Sequence, residues 1–342
     1  MAYTRYVDDE TRPMNPDEAA GGVLLGGRYR LERRLGSGGF GEVYLARDEQ
    51  LLAKLVVVKI LKNPENDPWF VKKFSQEKEA LARIRHHGVV EIVGDGITPD
   101  GRPFLVMQYV EGVPLRAAIR PGGMPFAQVA GIVRQIGQAL TAAHQSGVCH
   151  RDLKPENIML QALHGEEHIV LIDFGISGIT DSRFTGTTKV AGSIAYMAPE
   201  QLEGKASLAS DIYAFGVIAF EMLTGAIPAK GGEERLRALR PDLPEPAVAA
   251  IMRALSYQPD RRFGTVREFS DALAGALQPS AVAPTGGVIA GPAGHGRRAD
   301  RGASEQPAGC HAASRTHAEM HRRLPTRAAD RQGRHGRRLR SL

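Results

Sequence analysis

The sequence predicts an α+β fold in two parts: a small β-rich part carrying one main helix, then a larger, mainly α part. Three observations predict it. Short apolar, β-branched runs crowd residues 28–110, helical periods dominate residues 113–277, and 342 residues are enough to bury a sizeable core.

The elements follow in order. Residues 1–27 are polar and acidic and end in Gly and small residues; they are expected to form a flexible leader and do not match a secretory signal. "RYRLERRLG" and "GEVYLAR" are strand-like runs on either side of a glycine turn, and "LVVVKIL" is an apolar β-branched strand. "WFVKKFSQEKEALARI" switches to a helical period, with Phe70, Phe74, Leu81 and Ile84 on one stripe. "FLVMQYV" is a further strand, and the two parts join across residues 108–112.

The second part, 113–277, opens with "FAQVAGIVRQIGQALTAAHQSG", which sets Val129, Ile132, Val133, Ile136 and Leu140 on one face and stops at Gly147. "DIYAFGVIAFEMLTG" is apolar nearly all round and is expected to be a central buried helix. "PEPAVAAIMRAL" and "TVREFSDALAGAL" are two more amphipathic helices, and no internal repeat is present.

Composition narrows the function. The net charge of +6 is uneven: residues 279–342 hold 12 Arg, no Lys and 4 acids, while residues 1–278 hold 32 basic and 34 acidic side chains. The basic balance therefore belongs to the tail and implies no nucleic-acid surface on the folded part. The tail, taken as 278–342, lacks Phe, Trp and Tyr and cannot offset its chain entropy by burial, so it is expected to be disordered. Its Arg/Ala/Gly/His composition also resembles GC-rich DNA read out of frame. Two distant cysteines, Cys149 and Cys310, make no disulfide framework, and no run of 18 apolar residues occurs; the expected setting is cytoplasmic.

Several motifs carry chemistry. "GSGGFGEV" (Gly36, Ser37, Gly38, Gly39, Phe40, Gly41, Val43) lets backbone N–H groups approach phosphate closely, although a plain hairpin turn would read the same way. Lys59 lies on the apolar strand and needs an anionic partner unless the strand is an edge. Glu77 falls on the apolar stripe of its helix; it either meets a buried cation, for which Lys59 is the candidate, or sits at a rim. "LIDFGIS" places Asp173 at a strand end, and with Asn157 it suits Mg²⁺, a hard cation that takes oxygen ligands. "HRDLKPEN", residues 150–157, is a catalytic loop or a solvated polar turn.

The glycine loop, the strand Lys, the helix Glu, HRDLKPEN, Asp173-Phe174-Gly175 and Ala198-Pro199-Glu200 stand in an order and spacing that resemble the protein-kinase signature. Residues 28–277 resemble the eukaryotic-like (Hanks-type) Ser/Thr protein kinases of bacteria. The resemblance implies the bilobal protein-kinase fold: an N-lobe at 28–107, a hinge at 108–112 and a C-lobe at 113–277. It implies Asp152 as the catalytic base, Lys154 on the transferring phosphate, Lys59 on the α/β-phosphates and paired with Glu77, and Asn157 and Asp173 on Mg²⁺, with Mn²⁺ as the alternative ion.

For the adenine of ATP it implies Met107 at the back of the pocket, Gln108 to Val110 as the hinge, and Val43, Val57 and Met159 around the ring. These apolar residues are equally compatible with plain core packing. His150 and Cys149 are expected to be packed core residues. Asp211 is expected to cap the catalytic loop, and Glu200 to pair with Arg262. Thr185 and Thr187 are the implied phosphosites, autophosphorylated through a transient homodimer, with Arg151 as the cation that receives the phosphate.

Two departures from the family pattern stand out. Residues 226–240 are short where relatives have a longer loop and helix, and no membrane span is present. The competing readings are a catalytically silent scaffold, a small-molecule phosphotransferase, and incidental nucleic-acid binding by the Arg-rich tail, which would be generic and salt-sensitive. Lys154 and the 28-residue segment from Asp173 to Glu200 favour protein substrates.

Overall fold

The computed structural model describes residues 22–38, 41–61, 68–163, 165–174, 194–228 and 232–278; within the helix at 68–82 it describes side chains from Phe74 on, Glu77 excepted. The expected tail lies outside these residues except for Gln278, and so does most of the expected flexible leader; its end departs from that expectation, because Leu24 and Leu25 pair with Arg30 and Tyr29 and Leu25 is buried, so apolar burial and strand pairing order it.

Chain order builds the small part first. Strands β1 (Leu24–Leu25), β2 (Tyr29–Gly38), β3 (Gly41–Asp48) and β4 (Lys54–Leu61) precede helix α1 (Pro68–Ala82) and strands β5 (Ile92–Ile97) and β6 (Pro103–Gln108). They form one antiparallel sheet in the order β1-β2-β3-β4-β6-β5. The glycine run does not interrupt the first hairpin: Gly36 pairs with Val43, Ser37 with Glu42 and Gly38 with Gly41. Gly41 has φ +153, and a Cβ there would collide with the Ile60 carbonyl of β4, so only glycine fits. Strand β5, "IVGDGI", was not anticipated; its glycines and aspartate spoil the alternation, and pairing with β6 overrides the weak local signal.

The larger part contains strand β7 (Val113–Pro114) and helices α2 (Leu115–Ala118) and α3 (Phe126–Gln145). Strands β8 (Ile158–Leu163) and β9 (Glu166–Leu171) and helices α4 (Pro199–Leu202), α5 (Leu208–Thr224), α6 (Gly232–Leu239), α7 (Glu245–Ala254) and α8 (Val266–Ala276) follow. The predicted face of α3 is the buried one: Val129, Ile132, Val133, Ile136 and Leu140 are all fully covered. Helix α5 is buried all round, as its composition requires, and Phe215 and Phe220 are wholly inaccessible. Each such side chain contributes about 1.5–3 kcal/mol of burial. A capping box between Ser207 and Ser210 opens α5, and Gly225 ends it at φ +73, where a Cβ would strike the Arg120 carbonyl.

Strands β7, β8 and β9 form a second, three-stranded sheet, which frames the loops on either side of it. Helix α6 occupies the shortened region. It was not anticipated because only Leu236 of "GEERLRAL" is buried, so one apolar contact rather than a stripe holds it.

Candidate active site

The loop 149–157 leaves α3 at Gly147 and ends in a single 3₁₀ turn, Pro155–Asn157. Its backbone is held from α5. The Asp211 carboxylate accepts hydrogen bonds from the His150 N–H (2.8 Å) and the Arg151 N–H (3.0 Å), and the His144 Nε2 of α3 lies 2.8 Å from it. Burial pushes the Asp211 carboxyl up; the opposing contacts, His144 first among them, together outweigh this and leave it below its ordinary value.

Arg151 adopts φ +63, a left-handed conformation that costs a non-glycine residue about 1–2 kcal/mol. Asp211 on its N–H and the Gln201 amide on its carbonyl (2.5 Å) hold it there. His150 is fully buried, its ring 4.5 Å from that of Phe174, and neither ring nitrogen has a partner among the described residues. Burial lowers its pKa, and the ring packs in the core, as expected. Cys149 departs from expectation: it is half-buried, and its thiol meets the Ser207 carbonyl at 3.2 Å.

Asp152 follows the left-handed residue. Its carboxylate accepts from Lys154 Nζ at 2.7 Å and from Asn157 Nδ2 at 3.1 Å, and Asn157 Nδ2 also donates to the Asp152 carbonyl at 2.7 Å. These bonds turn the Asn157 amide oxygen away from Asp152. The Ile172 N–H donates to the Asn157 carbonyl at 2.9 Å, which sets the next residue, Asp173, beside the loop. Asp173 has φ +61, and its Oδ1 pairs with Lys59 Nζ from β4. Burial raises the Asp173 carboxyl, while Lys59 first and Lys154 after it bring it below its ordinary value. The chain thus brings together Lys59, Asp152, Lys154, Asn157 and Asp173. The Glu77 side chain lies outside the described residues, as do Thr185 and Thr187.

Between the two sheets, Val43, Val57, Met107, Val110 and Met159 share one buried apolar cluster with Leu35, Leu105 and Ile172. Val57 stands directly opposite Met107 in the β4–β6 ladder, and the Gln108 N–H bonds the Glu91 carbonyl at 2.9 Å. The glycine hairpin borders this cluster through Leu35 and Val43; Gly39 and Phe40, at its tip, lie outside the described residues.

The family model described as protein kinase domain matches residues 29–271. This chain is a member of the protein kinase family. The kinase is 38% identical over 272 residues to the serine/threonine-protein kinase Pkn1 of Myxococcus xanthus, covering 73% of this chain and 38% of that one. It is 35% identical over 271 residues to PknA of Mycobacterium tuberculosis, covering 74% and 62%. The crystallised kinase domain of Mycobacterium tuberculosis PknI, a double mutant, superposes with a TM-score of 0.62 at 32% identity, covering 76% of this chain and 99% of that one. The chain spans under two-thirds of the length of these curated relatives. In kinase terms, β1–β6 with α1 make the N-lobe, and β7 onward makes the C-lobe. Among the described residues no helix is long and apolar enough to cross a membrane.

Two features of the kinase site escaped sequence reasoning. His144 is one. The other is Arg116 of α2, which donates to Glu156 at 2.8 Å, to Glu221 at 2.5 Å and to the Tyr196 hydroxyl, while that hydroxyl donates to Glu221 at 2.6 Å. Burial works against the Arg116 charge, and Glu221 foremost more than restores it. A signal for this cluster was present: Glu221 is the one carboxylate inside the apolar run "GVIAFEMLTG", and a buried charge requires a partner. The expected Glu200–Arg262 pair is present at 2.7 and 2.8 Å, with Arg262 buried.

Proposed function

We propose that this chain is an ATP-dependent Ser/Thr protein kinase. It transfers the γ-phosphate of ATP to protein Ser/Thr hydroxyls and autophosphorylates its own activation segment through a transient homodimer. The convergence of Lys59, Asp173, Asn157, Asp152 and Lys154 on one cleft carries this reading.

The donor set suits Mg²⁺, with Mn²⁺ as the alternative. Asp173 engages Lys59 through Oδ1 and Asn157 is hydrogen-bonded through Nδ2, so Asp173 Oδ2 and Asn157 Oδ1 would be the oxygens to hold the cation. Both ligands are hard oxygens. When bound, the ion neutralises phosphate charge. The protein's own contribution is positioning and electrostatics, since phosphoryl transfer passes through a loose transition state. Lys59 holds the α/β-phosphates. The glycine hairpin, Gly36 to Gly41, covers the phosphates, and Val43, Val57, Met107, Val110 and Met159, with the Gln108–Val110 backbone, hold adenine. Asp152 accepts and orients the attacking hydroxyl, and Lys154, beside it, balances the moving phosphoryl charge. Glu77 would hold Lys59 in the active arrangement.

The test is incubation with γ-labelled ATP and Mg²⁺, with and without a generic protein substrate. Label should appear on Ser and Thr, on the chain itself and on the substrate. Label confined to a small molecule, or no label under conditions where nucleotide binds, overturns the reading.

A further inference from the structure

We infer that Arg102, in the turn between β5 and β6, is a positioning residue for ATP: through Glu42 it clasps the outer face of the glycine hairpin and sets the hairpin's height over the phosphates. The inference rests on the kinase reading above.

The sheet brings the two side chains together. Val43 lies in the apolar cluster between the sheets, so Glu42, its neighbour on β3, faces the opposite way. Glu42 stands beside Ile60 of β4, and Ile60 beside Phe104 of β6. Ile60 and Phe104 belong to a second apolar cluster, on that outer face. Strands β3 and β6 are each antiparallel to β4, so the β5–β6 turn lies at the same end of the sheet as the start of β3. From there Arg102 Nη1 reaches across β4 and donates to Glu42 Oε2 at 3.1 Å. Within the hairpin, Glu42 is directly opposite Ser37 of the glycine run.

The turn holds Arg102 in place. Buried Thr98 donates its N–H to the Arg102 carbonyl at 2.8 Å, and its hydroxyl accepts the Arg102 N–H at 2.9 Å and donates to Asp100. Asp100 in turn accepts from Arg102 Nε at 2.6 Å. The guanidinium is therefore shared between a carboxylate of its own turn and one on the hairpin. On the hairpin, Arg34 Nη1 lies 3.6 Å from the second Glu42 oxygen. The Arg102 and Glu42 side chains are 35% and 24% exposed. An isolated pair this wet would hold little, but four linked charges from β2, β3 and the turn hold a geometry together. The glycines of the run have no side chains with which to brace it, and its backbone must approach phosphate closely. Glu42 carries the bracing to a rigid turn two strands away. Without Arg102 the hairpin is freer to lift, and ATP is held less tightly.

The test is titration of the full chain with ATP, alongside kcat. In Arg102→Gln and in Glu42→Gln the dissociation constant for ATP should rise about two- to fivefold, the effect a half-exposed ion pair supports, and kcat should change less. The double variant should be no weaker than the worse single, because the two residues form one contact. Glu42→Gln also removes a negative charge near the phosphates. If charge alone mattered, Glu42→Gln would tighten ATP binding and only Arg102→Gln would weaken it; that pattern overturns the inference. So do unchanged constants in both singles, and losses that multiply in the double variant. If one single does not fold, Asp100→Asn takes its place, since it unfastens Arg102 from its turn and also removes a negative charge. Weaker ATP binding then supports the clasp, and equal or tighter binding overturns it. A wild-type chain that binds ATP but transfers no phosphate sinks the kinase reading and leaves the ATP constants to judge Arg102; one that binds no ATP sinks both.

Discussion

Lys59 and Asp173 stand 114 residues apart in the chain and form an ion pair in which Lys59 is buried and Asp173 partly so. The pair ties the central strand of the N-lobe to the strand end that the second sheet presents. Lys59→Met should abolish transfer, and it should raise the Asp173 pKa, since Lys59 is the main group opposing the effect of burial there. Chemical-shift titration of Asp173 checks the second outcome independently of activity. Glu77→Gln should lower kcat as well; an unchanged kcat would make Glu77 incidental.

Asp152→Asn should remove most transfer, about 10²–10⁴-fold, while leaving ATP affinity nearly intact. Asp152 touches Lys154 and Asn157 but lies apart from the apolar cluster that would hold adenine. Autophosphorylation compared with Lys59→Met, together with a nucleotide-binding titration, separates the two effects.

Arg262→Ala should destabilise the fold by about 3–5 kcal/mol, because it strands a partly buried carboxylate on Glu200. Arg262 also donates to the carbonyls of Ala209, Ser256 and Tyr257, so it joins α4 and α5 to the segment before α8. Urea unfolding measures the loss. The Glu200→Ala/Arg262→Ala double mutant should cost less than the sum of the singles.

Stability should fall with acid in two stages. Burial lowers the His150 pKa below its ordinary 6.5, and His86 shifts the same way. The unfolded chain therefore takes up these protons first, and stability declines as pH falls below about 6.5. Asp211 and Asp173 are held below 3.8, and Glu200 below 4.5. Their contribution is fully present above those values and is lost below them, as pH falls through the lower values of the folded state. Urea midpoints from pH 8 to pH 3 should show a gentle slope and then a steep one, and His150→Phe should reduce the gentle slope.

The phosphosites are the remaining proposal. Active enzyme analysed by mass spectrometry should carry phosphate on Thr185 or Thr187, and the Thr185→Ala/Thr187→Ala double mutant should be much slower. A phosphothreonine adds about −1.5 to −2 charge, which a guanidinium next to Asp152, that of Arg151, can receive bidentately. Full activity of the double mutant on an exogenous substrate would show that the segment is ordered another way.

What the sequence determined by itself is local. The order of strands and helices, the buried face of α3, the all-round burial of α5 and the contiguous loop 150–157 follow from apolar period and turn chemistry, which act over a few residues. Asp152, Lys154 and Asn157 lie within one such stretch and were legible for that reason. Strands β1, β5, β7 and β8 and helix α6 were not, because neighbours rather than their own pattern hold them. The tertiary structure alone decided which distant groups meet. Lys59 meets Asp173, His144 meets Asp211 across 67 residues, and Arg116 reaches Glu221 across 105. Such pairings depend on strand register and on how α3 and α5 pack. A one-residue slip in β4 would turn Lys59 to the other face of the sheet while leaving its local sequence unchanged.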